Sequence, residues 1–186
     1  EDPEIRADLL GTLGTVYNNL SLYDEARVLK EEALANRLAA DASDSADLAA
    51  SINNLGRLHY DLGDYPAAEE HFRRALAMWR RLGDDRGIVL GMRNVASLLA
   101  LVGRPEEALI LHREILERQE RLAGTPELEI AESLYSLAIL RRGLGELETA
   151  ETLLLEALAR FELALGPRHT RVAAVLSSRG RVLHQL

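Results

Sequence analysis

A helix–turn–helix unit recurs along this chain with a period near 42 residues, and that recurrence restricts the fold more than any single motif does. The clearest copy is residues 53–82, hinged at Gly63-Asp64-Tyr65. Leu55, Gly56, Gly63, Tyr65, Ala68, Phe72, Ala75 and Leu76 put apolar and small residues at helical spacing on both sides of the hinge. Gly63 can take the left-handed conformation that ends a helix. Pro66 suits the first turn of the next one, where its missing N–H costs nothing. The turn glycine returns at Gly103 and Gly145, at intervals of 40 and 42, and Ser21 stands at its place in the first copy. The small residue seven before the turn is Gly14, Gly56, Ala96 and Ala138. The alanine five after it is Ala26, Ala68, Ala108 and Ala150. Seven further on come Ala33, Ala75, Ile115 and Ala157, each followed by Leu. Chance is a poor explanation for this agreement, and periods of this size indicate stacked solenoid units.

The spacing predicts nine helices, at about 3–20, 24–41, 45–62, 66–82, 86–102, 105–122, 127–144, 147–165 and 169–185. The expected fold is all-α: a right-handed superhelical solenoid of four antiparallel helix pairs plus one extra C-terminal helix. The links Ala42-Ser43-Asp44, Gly83-Asp84-Asp85, Gly124-Thr125-Pro126 and Gly166-Pro167-Arg168 are short and polar, with Ser43, Asp84 and Thr125 as expected helix caps. None is long enough to separate domains. Residues 1–186 therefore read as one repeat domain, with units 3–41, 45–82, 86–122 and 127–165 and a half-unit 169–186. Because the first residue is Glu1, the chain reads as a piece of a larger protein.

Composition narrows the function. Hydrophobic residues are 47% of the chain and aromatic ones only 4%, which favours Leu/Ala-rich helical packing over a sandwich of sheets. A formal net charge of −8 argues against a nucleic-acid binder. Cysteine is absent, which removes disulfides and thiolate metal sites. The longest apolar stretch, Val95–Val102 broken only by Ser97, is too short to span a bilayer, and no signal-like segment opens the chain, so a cytoplasmic setting is expected. Lys30 is the only lysine among 22 basic residues, which reads as a coding bias of a GC-rich genome.

The series Leu13, Gly14, Tyr17, Tyr23, Ala26 and its second copy Leu55, Gly56, Gly63, Tyr65, Ala68, Phe72, Ala75 resemble the tetratricopeptide repeat. The spacing, and the junction Leu165-Gly166-Pro167-Arg168-His169, resemble its 42-residue kinesin-light-chain type. His59, Leu99 and Arg141 depart from the Tyr preferred there, and Pro105 and Leu147 from the turn Tyr. The resemblance implies a protein–protein interaction scaffold, similar to repeats attached to bacterial signalling kinases and regulators. It implies a concave groove, lined by the first helix of each pair, for an extended peptide or partner segment. The groove places it implies include Asn53, Asn54, Arg57, Tyr60, Arg93, Asn94, Leu101, Tyr135, Ile139, Arg142 and Arg181.

Asn54 and Asn94 share one place in the repeat; each either pairs with a ligand backbone or bonds to a neighbouring helix. Arg57, Arg93, Arg142 and Arg181 favour an acidic or C-terminal carboxylate, unless Asp61 and Glu132 already hold them. The lysine/asparagine clamp of chaperone-binding relatives is not reproduced, since Gly11 and Thr15 stand at two of its places.

Catalytic chemistry is thin. His59, His71, His112, His169 and His184 show no metalloprotease spacing. His59 and His112 read as packed core residues and His169 as a helix start. Pairs such as Glu69/Glu70 read as solvated faces, and Gly83, Gly87 and Gly91 do not form a phosphate loop. No enzyme, metal or cofactor is expected. The alternative function is a self-associating assembly module. Gly180 repeats the place of Ala138, so the ninth helix reads as half of a fifth unit. Val172, Val175, Leu176, Val182 and Leu183 give it apolar residues on more than one face. One face is expected to cover Leu154 and Leu158, and the other to meet a second copy or, in a longer chain, a following helix.

Overall fold

The turns within the pairs are built alike. In each, an amide reaches back five residues to a carbonyl: Leu22 to Tyr17, Asp64 to His59, Arg104 to Leu99 and Glu146 to Arg141, at 3.0, 2.9, 2.8 and 2.9 Å. The residue before each donor has positive φ: 62° at Ser21, 78° at Gly63, 79° at Gly103 and 80° at Gly145. No atom lies within 4 Å of a Cβ built on the three glycines, so backbone conformation alone selects glycine there. Ser21 is the L-residue that carries that conformation in the first pair.

These turns organise a computed structural model that describes residues 2–41, 43–122 and 124–186. Among the described residues there are nine helices and no strand: α1 (Pro3–Asn19), α2 (Tyr23–Ala40), α3 (Ala46–Asp61), α4 (Tyr65–Leu82), α5 (Asp85–Leu101), α6 (Pro105–Arg121), α7 (Glu127–Gly143), α8 (Leu147–Leu165) and α9 (Thr170–Gln185). The expected bounds hold to within a residue or so. Glu1 and the linker residue Ala42 lie outside the described residues. Asp84 caps α5 as expected, accepting from the Gly87 amide at 3.0 Å. The other two caps are corrected. Ser45, not Ser43, accepts from Leu48 at the start of α3, at 3.1 Å. Pro126 stands at the start of α7 with no side-chain cap bond, and Thr125 donates its hydroxyl back to the Leu122 carbonyl. His169 does open α9, its Nδ1 accepting from the Arg171 amide at 3.2 Å.

The packing divides the chain into two compact units, Glu1–Leu98 and Leu99–Leu186. In the first, small residues admit large ones. A Cβ on Gly56 would lie 2.6 Å from Phe72, and one on Gly87 2.3 Å from Trp79, which also crosses Gly91 at 3.1 Å. Gly87 and Gly91 thus make room for the single tryptophan, while Gly83, with φ 68°, ends α4. Ala26, Ala68 and Ala75 are fully buried.

The core of the second unit joins α7, α8 and α9 through Leu134, Ala138, Leu154, Phe161, Val172, Val175 and Val182, with Leu158 packed against it. α9 therefore covers α8 as expected. Its Leu176 and Leu183 point elsewhere, each 48% exposed, and no atom lies within 4 Å of a Cβ built on Gly180.

Candidate partner-binding face

The first helix of each pair supplies the expected binding places: α1, α3 and α5 up to Leu98 in the first unit, α7 and α9 in the second. Side-chain hydrogen bonds tie these helices together. Asn18 Nδ2 donates to Asp61 Oδ2 at 2.6 Å, joining α1 to α3. Asn94 Nδ2 donates to Asn53 Oδ1 at 2.7 Å, joining α3 to α5. The hydroxyls of Tyr135 and Ser178 are 2.9 Å apart, joining α7 to α9. Each rung has a buried member: Asn18, Asn53 or Ser178.

The amide nitrogen of Asn94 thus bonds to the neighbouring helix. They also put Asn53, only 3% exposed, behind the surface. Asn54 is half-buried, and its backbone carbonyl accepts from Lys30 Nζ at 3.1 Å. Tyr60 is half-buried and lies obliquely against Tyr65 in its own pair, with ring centroids 6.0 Å apart. Ile139 is half-buried and Leu101 exposed.

Most of the arginines are ion-paired, and among the described residues Arg74, Arg86, Arg113 and Arg168 are exceptions, as are four arginines on the first helices. Among the described residues at least twelve arginines each hold a carboxylate within 4.0 Å, for example Arg6 with Glu32, Arg73 with Glu69 and Arg160 with Glu127. Among the described residues Arg57, Arg93, Arg142 and Arg181 hold none; Arg181 instead donates to Ser178 Oγ at 2.8 Å. The two acids that stood to neutralise them are engaged elsewhere. Asp61 accepts from Asn18, and Glu132 pairs with Arg171 at 3.2 Å. Arg57 and Arg181 are exposed, and Arg93 and Arg142 half-buried.

Sequence reasoning missed Lys30. It is 4% exposed and stands at the place in its pair that Phe72, His112 and Leu154 fill in the others. Its stem crosses Gly14, where a Cβ would lie 2.7 Å from Lys30 Cγ, much as Phe72 crosses Gly56. Burial first, then the charge of Arg57, pull its pKa down to about 8, with Asp61 opposing them. The signal was present in the sequence: the only lysine falls on a core place of the repeat. On α3 and α4, His59 and His71 stack with ring centroids 5.2 Å apart, and His59 Nδ1 lies 3.3 Å from Asp64. Burial, then His59, lower the pKa of His71.

Stacked helix pairs, small-residue notches and polar rungs define the class: a helical-repeat scaffold that displays side chains along its first helices. The chain belongs to the tetratricopeptide repeat family, whose model matches residues 5–81, 85–162 and 129–186. Repeats of this family are protein–protein interaction scaffolds and are typically non-catalytic. No curated protein sequence matches the chain.

Among solved structures it is similar to BtubC (BKLC) from P. vanneervenii, with 19% identity and a TM-score of 0.84 over 96% of this chain and 72% of that one. It is similar to the kinesin-light-chain TPR-like repeat protein of Podosopora anserina, with 20% identity and a TM-score of 0.83 over 100% and 88%. It is also similar to a Rap protein complexed with competence and sporulation factor, with 17% identity and a TM-score of 0.74 over 95% of this chain and 48% of that one. These likenesses establish the fold. No helix among the described residues is long and apolar enough to cross a membrane.

Proposed function

We propose that the first-helix face binds an extended, carboxylate-bearing peptide or partner segment. The observation that carries this reading is the set of arginines left without carboxylates on that face, in a chain whose net charge is −8 and whose other ion pairs are numerous. A guanidinium offers paired donors in a fixed fork that matches a carboxylate. An arginine kept free of internal carboxylates needs no ion pair broken before it receives one. In the first unit Tyr60 shares α3 with Arg57, and in the second Tyr135 and Ile139 share α7 with Arg142, so apolar and cationic side chains stand on the same helices, the combination in which interfaces concentrate binding energy. The Rap fold, whose solved structure is a complex with a factor, supports partner binding by this architecture. Residues 1–186 would then serve as one binding module of a larger bacterial, cytoplasmic signalling or regulatory protein.

Selection of random peptides on the immobilised domain tests the reading. Recovered peptides should be enriched in Asp and Glu, and Arg93→Glu should weaken them about tenfold with little change in stability, a difference of about 1.4 kcal/mol. Peptides without acidic enrichment, or equal binding by the variant, would refute it.

Self-association is the second reading, favoured by a specific feature of α1. Ile5, Leu9, Leu13, Val16 and Leu20 form an apolar stripe at helical spacing, between 47% and 64% exposed. Leu176 and Leu183 extend a comparable stripe on α9. Exposed stripes of this kind find partners. Sedimentation across a hundredfold range of concentration decides: a monomer throughout removes this reading.

A further inference from the structure

Lys30 is out of keeping with its surroundings. Its place is a buried one, filled by Phe72, His112 and Leu154 in the other pairs, and a cation there is costly unless it is paired. Gly14 closes the α1 side of its stem. The ammonium is thereby sent toward α3, where it finds one neutral acceptor, the Asn54 carbonyl at 3.1 Å. No carboxylate lies within ion-pair distance of it among the described residues. The charges that act on it are Arg57, which repels it, and Asp61, which attracts it, both on α3. α1 contributes the neutral Asn18, whose Oδ1 is buried without a hydrogen-bond partner and whose nitrogen already occupies Asp61. On α2 itself Glu32 is committed to Arg6, and Glu31 is exposed. Two cations therefore converge on one stretch of α3, and the single nearby acid is already hydrogen-bonded.

We propose that Lys30 is a specificity-determining residue of the first unit: its ammonium, beneath Arg57, supplies the second positive charge for a carboxylate held on the α3 surface. The inference rests on the carboxylate-binding reading and assigns a subsite within it. The cation comes from the core place of a second helix rather than from the first-helix face, so its charge is fixed by packing. A bound carboxylate supplies the counter-charge that folding leaves out. Binding and protonation are then linked: above pH 8 the amine is partly neutral, and an anion draws a proton back onto it.

The sole lysine makes the test direct, because biosynthetic 13C-lysine labelling gives a single side-chain signal. The probe is hexaglutamate, with hexaglutamine as the uncharged control. The Lys30 signal should titrate with a midpoint near 8 in the free protein. Hexaglutamate should raise that midpoint by about one pH unit, the size of effect an approaching opposite charge has, and hexaglutamine should leave it unchanged. Lys30→Met should bind hexaglutamate about tenfold more weakly at pH 7, and Lys30→Arg should restore binding and remove its decline between pH 7 and 10. A midpoint unmoved by saturating hexaglutamate, or no binding of hexaglutamate at millimolar concentration, overturns the proposal. Arg93→Glu separates the two failures: if it weakens hexaglutamate while Lys30→Met does not, the carboxylate-binding face stands and the part given to Lys30 falls.

Discussion

Replacing Lys30 by methionine should make the protein more stable, although it removes a hydrogen bond. The stem is unbranched in both residues, so the space over Gly14 stays filled. What disappears is a charge that the folded state disfavours. Its pKa falls from the ordinary 10.5 to about 8 on folding, which corresponds to roughly 3 kcal/mol against the folded state. The residue is 4% exposed, so solvent screening removes little of this. The lost bond to the Asn54 carbonyl offsets about 1 kcal/mol, leaving an expected gain of about 1–3 kcal/mol at pH 7.

The pH dependence gives the sign independently. A lysine with a lowered folded pKa is charged in both states below pH 8, and there its full cost is present. The cost fades between pH 8 and 10.5 as the folded amine loses its proton first, and is absent above 10.5. The advantage of the variant should therefore be largest at neutral pH and shrink through that window. Urea unfolding followed by circular dichroism at pH 7, 8.5 and 10 measures it, and taking the difference between the two proteins cancels contributions common to both. A variant less stable than the parent at pH 7, or a difference that does not change with pH, would refute the reasoning.

Two further substitutions probe the packing. Gly87→Ala puts a methyl carbon 2.3 Å from Trp79, so the indole must move; destabilisation of about 1–3 kcal/mol and altered fluorescence of the single tryptophan are expected. Gln119 is 2% exposed with both amide atoms buried and unpartnered, at the place Trp79 and Phe161 hold in neighbouring pairs, so Gln119→Leu should raise stability by about 1–3 kcal/mol in thermal unfolding.

The helices could be read from the sequence because the repeat supplies several aligned copies of one local pattern, and a misplaced boundary in one copy is corrected by the rest. The links between pairs lack that support. Ser43 and Thr125 each have the right chemistry for a cap, but Ser45 meets the free amide at the start of α3, and α7 starts behind Pro126, which carries no acceptor on its side chain. The face was legible as a set of places but not as a set of bonds. Asn54 and Asn94 occupy equivalent places, yet Asn94 bonds to Asn53; Asn18 likewise reaches Asp61, 43 residues on, rather than its equivalent. Neighbouring first helices meet at non-equivalent places, so aligning repeats by register cannot show which side chains touch. Lys30 is hidden for a different reason: the scarcity of lysine by itself points to coding bias, and only its place in the repeat, which Phe72 and Leu154 fill elsewhere, marks it as buried.

The rungs between first helices have a consequence for the order of the pairs. A purely apolar junction accepts any neighbour of similar volume, which is why solenoids grow by duplication. Within each unit the junctions between first helices carry their own polar match: amide with carboxylate between α1 and α3, amide with amide between α3 and α5, hydroxyl with hydroxyl between α7 and α9. Transposing two pairs would leave a buried amide or hydroxyl facing the wrong partner, at about 1–3 kcal/mol for each group stranded. The pairs are therefore addressed to one another, and the chain encodes their sequence of assembly as well as their shape.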